Sequence, residues 1–378
     1  MANSLDAAIP RILAQGLKAL RENAVMAQIV NRSFDVDAQR EGASVDVPIP
    51  SAMGEADDVT PSANNTSGQD VTPKFVPVKL NRWKKKDFYM TDKDLKEVMG
   101  GYFNLQVTEA ARSIANAIDK DILRLYKGVW GDAGLAGQTP FQFEDSQALY
   151  KGLAPARDAR KVLNRQLAGT SDRRIVLDVD AEANATALPQ FTSAMDSGSD
   201  VTIKEGMIGR KLGFDWYMNQ NVLTHDTQAA GTITTSGGGN ILGASTLTVA
   251  GCTTAPAEGD VFRTAGDPQY YVVQAGSTTG SWKIAPALRS NIPDATAITV
   301  VADHVVNLAF HKDAFALAVR PLLDVDPLGN RIETFTDDVS GLTMRLEISR
   351  QNKQTLFSFD VLYGVALVRP ECACRIVG

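Results

Sequence analysis

The sequence predicts an α+β chain with a small antiparallel β unit inserted in it. Three observations predict it. Residues 91–128 hold one long amphipathic helical stretch. The strand-like runs elsewhere do not recur at the regular spacing of a βαβ repeat. From Thr227 to about Val301 the composition turns rich in Thr, Ser, Gly and Ala and poor in charge. There TLTVAG, GDVFRTAG, QYYVVQAG, SWKIAPAL and AITVV are short alternating runs separated by Gly-containing turns, the pattern of a small barrel or sandwich.

Length and composition set bounds. At 378 residues the chain can bury a large core and holds two or three structural units. A hydrophobic fraction of 44% and a charged fraction of 22% are those of a globular protein. The net charge of -6 argues against a dedicated nucleic-acid binder, which carries a basic excess. MANSLDAAIPRILAQGLKAL lacks the basic start and apolar run of a signal peptide, and no apolar stretch is long enough to span a bilayer. Three cysteines, Cys252, Cys372 and Cys374, are too few for a disulfide framework, which points to a reducing cytoplasm.

Residues 4–24 pattern as an amphipathic helix through Leu5, Ile9, Ile12, Leu13, Leu17 and Leu20. It either packs on a neighbouring molecule or opens its own domain. Residues 44–90 read as a long two-stranded excursion, SVDVPIP pairing with VTPKFVPVKLNRW, its strands punctuated by Pro48, Pro50, Pro73 and Pro77. The polar tip between them is rich in Gly, Ser and Asn. Charge is sorted along this arm. Every charged residue from Glu41 to Pro73 is acidic, including Glu55, Asp57 and Asp58, whereas Lys74, Lys79, Arg82, Lys84, Lys85 and Lys86 are all basic. A lone hairpin is marginally stable in water, so this arm is expected to lie on another subunit. Glu55, Asp57, Asp58, Arg82, Lys84, Lys85 and Lys86 are the candidate inter-subunit contacts. Basic residues interleaved with Trp83, Phe88 and Tyr89 also resemble a single-strand nucleic-acid platform, but no basic domain surrounds them.

In the helical stretch, Phe103, Val107, Ala110, Ala111, Ile114, Ala117, Ile118, Ile122, Leu125 and Tyr126 form one apolar stripe. Thr91 with Asp94 has capping-box spacing, Gly100-Gly101 breaks off a leading turn, and Gly128 suits the helix end. Roughly 25 residues remain, about 37 Å of strut. Residues 145–167 read as a further helix, Ile175–Val179 as a buried strand entering a helix near Asp180, and Phe214–Met218 as a strand preceded by glycine turns. After the insertion, HVVNLAFHKDAFALAVRPL reads as a strand and a helical turn, and two strand runs close the chain.

Catalytic patterns are missing. His225, His304 and His311 form no metal-binding motif, and Cys372-x-Cys374 is too close for a zinc half-site or a redox pair. On an extended strand those two cysteines would face one side as packed hydrophobes. No Gly-x-Ser-x-Gly elbow occurs, and the glycines at 206, 209 and 213 lack the Gly-Lys-Ser/Thr ending of a phosphate loop. Asp57-Asp58 and Asp337-Asp338 read as solvated loop carboxylates. No catalytic, cofactor or metal residue is assigned, and the chain is expected not to be an enzyme.

In segment order the chain resembles the major capsid proteins of tailed double-stranded DNA bacteriophages, in the branch of the short-tailed Salmonella phage coat proteins. The similar segments are IKEGMIGRKLGFDWYMNQN (203–221), EGDVFRTAG and SWKIAPAL within the insertion, NLAFHKDAFALAVRPL (307–322) and YGVALVRPE (363–371). The resemblance implies an N-terminal arm at 1–40, an extended loop at 41–90 and a spine helix at 91–128. It further implies peripheral and axial domains at 129–226 and 303–378 around an inserted β-barrel at 227–302. It implies hexamers and pentamers closing into an icosahedral shell, a virion component assembled in the host cytoplasm. The implied partners are the chain itself, a scaffolding protein, a portal, decoration proteins and packaged DNA on the inner face, with no cofactor, no membrane and no catalysis. An encapsulin-type compartment is the alternative of the same fold. A glycan-binding β-domain protein is the alternative of another class, with Trp282, Tyr270 and Tyr271 as its main large aromatics. The chain starts almost directly at the arm, so a separate scaffolding protein is expected. Some family members crosslink through a lysine on the extended loop, yet Glu41–Pro73 contains none. Particles should therefore run as a single monomer band on denaturing gels; a ladder of covalent multimers would contradict this.

Overall fold

A computed structural model describes residues 25–34, 44–51, 53, 55–56, 70–97, 102–143, 151–193, 201–237, 240–320, 322, 331–336 and 343–378. The helical segment at 4–24, Glu41, Asp57, Asp58, residues 145–150 and Asp337-Asp338 lie outside them.

The strand Gln354–Leu367 is the hub of the body. Its alternation explains its neighbours. Phe357, Phe359, Val361 and Tyr363 are buried in the main core with Ile114, Ile118 and Ile122 of the spine helix, Tyr102–Leu123. The other face offers Ser358, Asp360, Gly364 and Ala366. One edge pairs with Thr343–Gln351, which in turn pairs with Arg331–Thr336. Along the other edge lie Arg82–Thr91 and then Phe315–Arg320. Phe315, Leu317 and Val319 point into the main core, while Ala316 and Ala318 join a separate cluster with Val45, Val47, Val78 and Leu80. This period of two is why Phe315–Val319 is buried throughout.

That second cluster roots the arm. Ser44–Ile49 pairs antiparallel with Lys74–Lys79, Val45 opposite Val78 and Val47 opposite Val76. The root lies on a floor of small residues: a Cβ added at Gly364 would sit 2.4 Å from the Lys79 carbonyl oxygen. Each buried Val or Leu contributes about 1.5–3 kcal/mol as an upper estimate, so the hairpin is held at its base by its own body. Its far end, Asp70–Phe75, is exposed.

The spine begins as the composition requires. Thr91 Oγ1 accepts from the Asp94 amide at 3.2 Å and donates to Asp94 Oδ2 at 2.6 Å, capping the short helix Asp92–Glu97. The long helix ends in a 3-10 turn, Arg124–Gly128. A second sheet runs Gly131–Gly134, Ala373–Val377, His304–His311, Arg173–Leu177, Phe214–Met218, Arg210–Lys211. Asp178 caps the helix Val179–Ala187, accepting from the Asp180 amide at 3.2 Å.

Residues 230–300 form a third, six-stranded sheet with its own core around Leu247, Phe262, Tyr271 and Trp282. Its end strands meet: Thr234 bridges Ala297, and the Thr235 amide donates to the Thr296 carbonyl at 2.9 Å. The sheet thus closes on itself, and its largest aromatics are inside.

Several sequence readings are corrected. Arg82–Thr91, read with the returning basic limb of the arm, is instead an edge strand of the body, because Phe88 and Met90 pack inward. Within the helical region expected over 145–167, the described residues are helical from Ala154, where Pro155 suits a first helical turn, to Arg165. After His304–His311 the helical turn is only Lys312–Ala314, since alternation then makes Phe315–Arg320 a strand. Cys372 lies in a 3-10 turn, so it does not share a strand with Cys374. Gly364→Ala should lower unfolding stability by about 1–3 kcal/mol and open the arm root to protease, measured by denaturant melts and limited proteolysis. Unchanged stability would mean the root does not bear on Gly364.

Candidate assembly surface and domain junction

The alternation of Arg82–Thr91 divides the predicted contact residues between two faces. Arg82 and Lys84 turn toward the spine. Arg82 Nη1 lies 2.7 Å and Lys84 Nζ 3.9 Å from Asp121 Oδ2. Arg124 Nη1 reaches Asp121 Oδ1 at 2.8 Å, and the Tyr363 hydroxyl donates to Oδ2 at 2.7 Å. Burial would raise the Asp121 carboxyl, but its hydrogen bonds from Arg82 and Tyr363 and the charges of Arg82 and Lys84 outweigh it and hold the group below the usual range. Trp83, Lys85 and Tyr89 turn the other way. The Trp83 indole donates to Asp360 Oδ2 at 2.9 Å, and Arg345 clasps the same carboxylate at 3.0 and 2.5 Å. Lys85 pairs with Asp87 at 2.6 Å. Lys86 is exposed on the strand, and Glu55 is exposed on the arm. Arg82, Lys84 and Lys85 thus have partners within the chain, and no contact joins them to Glu55 among the described residues. Asp121 was not singled out in the sequence. The signal was available: Asp119 and Asp121 are acidic residues on a helix whose apolar stripe flanks both.

Polar side chains that sequence could not bring together meet where the closed sheet joins the body. The entering and leaving strands pair there, with His225 opposite His304 and their rings 5.3 Å apart. The Tyr126 hydroxyl and His225 Nδ1 are 2.9 Å apart, and His225 Nε2 and Asp260 Oδ1 also 2.9 Å. A proton on Nε2 given to Asp260 leaves Nδ1 to accept from Tyr126. Asp260 Oδ2 accepts from the amides of Ala257 at 3.0 Å and Ala229 at 3.1 Å. Arg375, fully buried, donates to the Gly259 carbonyl at 2.8 Å and the Tyr126 carbonyl at 2.9 Å.

Tyr126, His225 and Asp260 mimic the order of a nucleophile, base and orienting acid, yet all three are buried. Burial raises the Tyr126 hydroxyl, the opposite of activation. The network is structural: it ties the closed sheet to the spine's last turn. Among the described residues no cluster of His, Cys, Asp or Glu could hold a metal, and no helix is long and apolar enough to cross a membrane.

No protein-family model matches the chain, and no curated protein does. Among solved structures, one described as Mycobacterium phage Che8 is similar over 93% of this chain and 90% of its own, at 16% identity and a TM-score of 0.52. The capsid structure of the cyanophage P-SCSP1u aligns over 93% and 87%, at 13% identity and a TM-score of 0.47. The virus-like particle from Pyrococcus furiosus aligns over 97% and 98%, at 9% identity and a TM-score of 0.45. The first of these likenesses is one of fold; the other two are too distant to add to it.

Buried acids give this body a pH signature. Burial pushes Asp119 up to about 7, against a hydrogen bond from Asn219, and pushes Asp132 up to about 7, against the charge of Arg375. A carboxyl raised on folding binds its proton more tightly in the native state, so stability falls as pH rises toward and past 7. His304, lowered to about 4 by burial, acts oppositely but only below 6.5, where the unfolded ring protonates. From pH 6.5 to 8 each carboxyl should cost about 1 kcal/mol, and Asp132→Asn should roughly halve the fall, read by denaturant melts across pH. A flat profile in the parent would contradict the assignment.

Proposed function

We propose that the chain is the major capsid protein of a tailed double-stranded DNA bacteriophage, assembling as hexamers and pentamers into an icosahedral shell. The observation that carries this reading is the fold shared with the chain from Mycobacterium phage Che8 along nearly the whole length of both. The body supports it: a 22-residue helix braces the sheet, and a hairpin rooted on that sheet ends in an exposed limb. A subunit of a closed shell needs such heterologous, overlapping contacts. The closed sheet at residues 230–300 is read as the inserted barrel of the short-tailed Salmonella phage branch; of the aromatics a glycan would need, Trp282 and Tyr271 are buried and Tyr270 is partly buried, which disfavours a glycan face. Scaffolding protein, portal, decoration proteins and packaged DNA are the partners this function entails.

The inter-subunit contacts are Glu55, Asp57 and Asp58 on the arm against Arg82, Lys84, Lys85 and Lys86 on a neighbouring copy. Exposed pairs are worth about 0.2–1 kcal/mol each and mainly tune association rate and salt dependence, but a shell repeats them. Reversing Lys84, Lys85 and Lys86 to Glu should lower the yield of shells seen by electron microscopy while the subunit stays folded. Unchanged yield and salt dependence would remove the electrostatic contact. Monodisperse monomers from the parent chain under all conditions would remove the shell itself, and shells filled with protein cargo in place of DNA would favour an encapsulin-type compartment.

A further inference from the structure

In a chain of net charge -6, the helix Ala154–Arg165 carries Arg157, Arg160, Lys161 and Arg165 against the single acid Asp158. Its buried side is Pro155, Ala156, Ala159 and Leu163, laid against the strands Gly131–Gly134 and Ala373–Val377. The helical period turns the four cations away from that side, and all four are exposed. Arg157, Lys161 and Arg165 stand at i, i+4 and i+8, so they form one row about 12 Å long. Arg160 flanks the row, its Nη1 donating to the Leu212 carbonyl at 3.2 Å. Asn164 is exposed beside it, and its Oδ1 accepts from Arg173 Nη2 at 2.8 Å, which leaves its amide hydrogens as donors. Arg173, 2% exposed, adds positive charge beneath the helix end and is held by neutral oxygens alone, the others being the carbonyls of Ala168 and Gly169.

This row differs from the other basic run of the chain. Arg82, Lys84 and Arg124 share Asp121, and Lys85 holds Asp87. Among the described residues no carboxylate pairs with Arg157, Arg160, Lys161 or Arg165, and half-buried Asp158 bonds to none of them. Uncompensated cations in line fit a polyanion whose charges also run in line. A duplex carries about one phosphate per 1.7 Å of axis, so the row spans about seven phosphates and can neutralise three or four. The helix has no aromatic side chain for stacking on unpaired bases, and exposed Leu167 follows its end rather than centring the row as a protein hot spot would. We propose that Arg157, Arg160, Lys161 and Arg165 bind the phosphodiester backbone of duplex DNA without regard to sequence. Arg173 is a positioning residue that fixes Asn164 and the helix end.

The inference rests on the shell reading for the source of the DNA and assigns that contact to one helix. Binding of a short labelled duplex to the unassembled full chain, followed by fluorescence anisotropy across salt, tests it apart from shell formation. The logarithm of affinity should fall with the logarithm of salt at a slope of about -3 to -4. Arg157→Gln, Lys161→Gln and Arg165→Gln together should reduce that slope by about 2.7, since Gln keeps an exposed helix intact. Lys84→Gln, Lys85→Gln and Lys86→Gln, which remove the same charge elsewhere, should change it by less than one. In particles, Lys161 should react with an amine-acylating ester several-fold more slowly when DNA fills the shell than when the shell is empty, while Lys86 reacts alike in both. No duplex binding, or equal losses from the two triple variants, would overturn the proposal and leave the shell reading standing. Displacement of the duplex by polyglutamate of equal charge would overturn it in favour of an acidic protein partner. Equal acylation of Lys161 in full and empty shells would overturn it within the particle. A parent that binds the duplex yet never forms shells would overturn the shell reading and leave the row as a DNA contact.

Discussion

The strand Gln354–Leu367 has two differently built faces, and the rest of the body is laid against them. Large rings and branched chains, Phe357, Phe359, Val361 and Tyr363, take the spine helix on one side. On the other, Gly364 and Ala366 leave room for the backbone of a second layer, and the arm root fills it. One strand therefore fixes both the distance from sheet to spine and the point from which the arm leaves. Those two quantities are what a repeating contact between copies depends on, and neither tolerates much change in side-chain volume.

Polar groups sit where rigid joints are needed. Asp121 gathers two guanidinium groups and a phenol at the end of the spine, and breaking one partner of such a buried group costs more than the pair contributes. At the other joint, Arg375 and the His225–Asp260 pair hold the closed sheet to residues Tyr126 and Gly259. Both joints touch the last turns of the same helix. The spine thus links the sheet that carries the arm to the domain that follows it.

Much of this was legible in the residues. The apolar period of the spine, the capping box at Thr91 and Asp94, and the glycine-punctuated runs of the insertion are local signals, and local signals survive folding. The arm was half legible. Sorting by charge grouped Arg82–Lys86 with the hairpin, although Phe88 and Met90 at even positions marked a strand with one buried face. Charge records what a segment meets, whereas alternation records which layer it belongs to. The junction was not legible at all. His225, Asp260, His304 and Arg375 come from segments far apart in the chain that only the tertiary fold brings together, and Tyr126 lies 249 positions from Arg375.

A reconstruction of assembled particles by electron cryomicroscopy tests the central claim most directly. The account predicts closed shells in which each subunit's arm stays rooted on its own Gly364 floor while its acidic limb meets Arg82, Lys84, Lys85 and Lys86 of a neighbour. An arm that folds back on its own body, or a neighbour's contact that avoids Arg82, Lys84, Lys85 and Lys86, would contradict it.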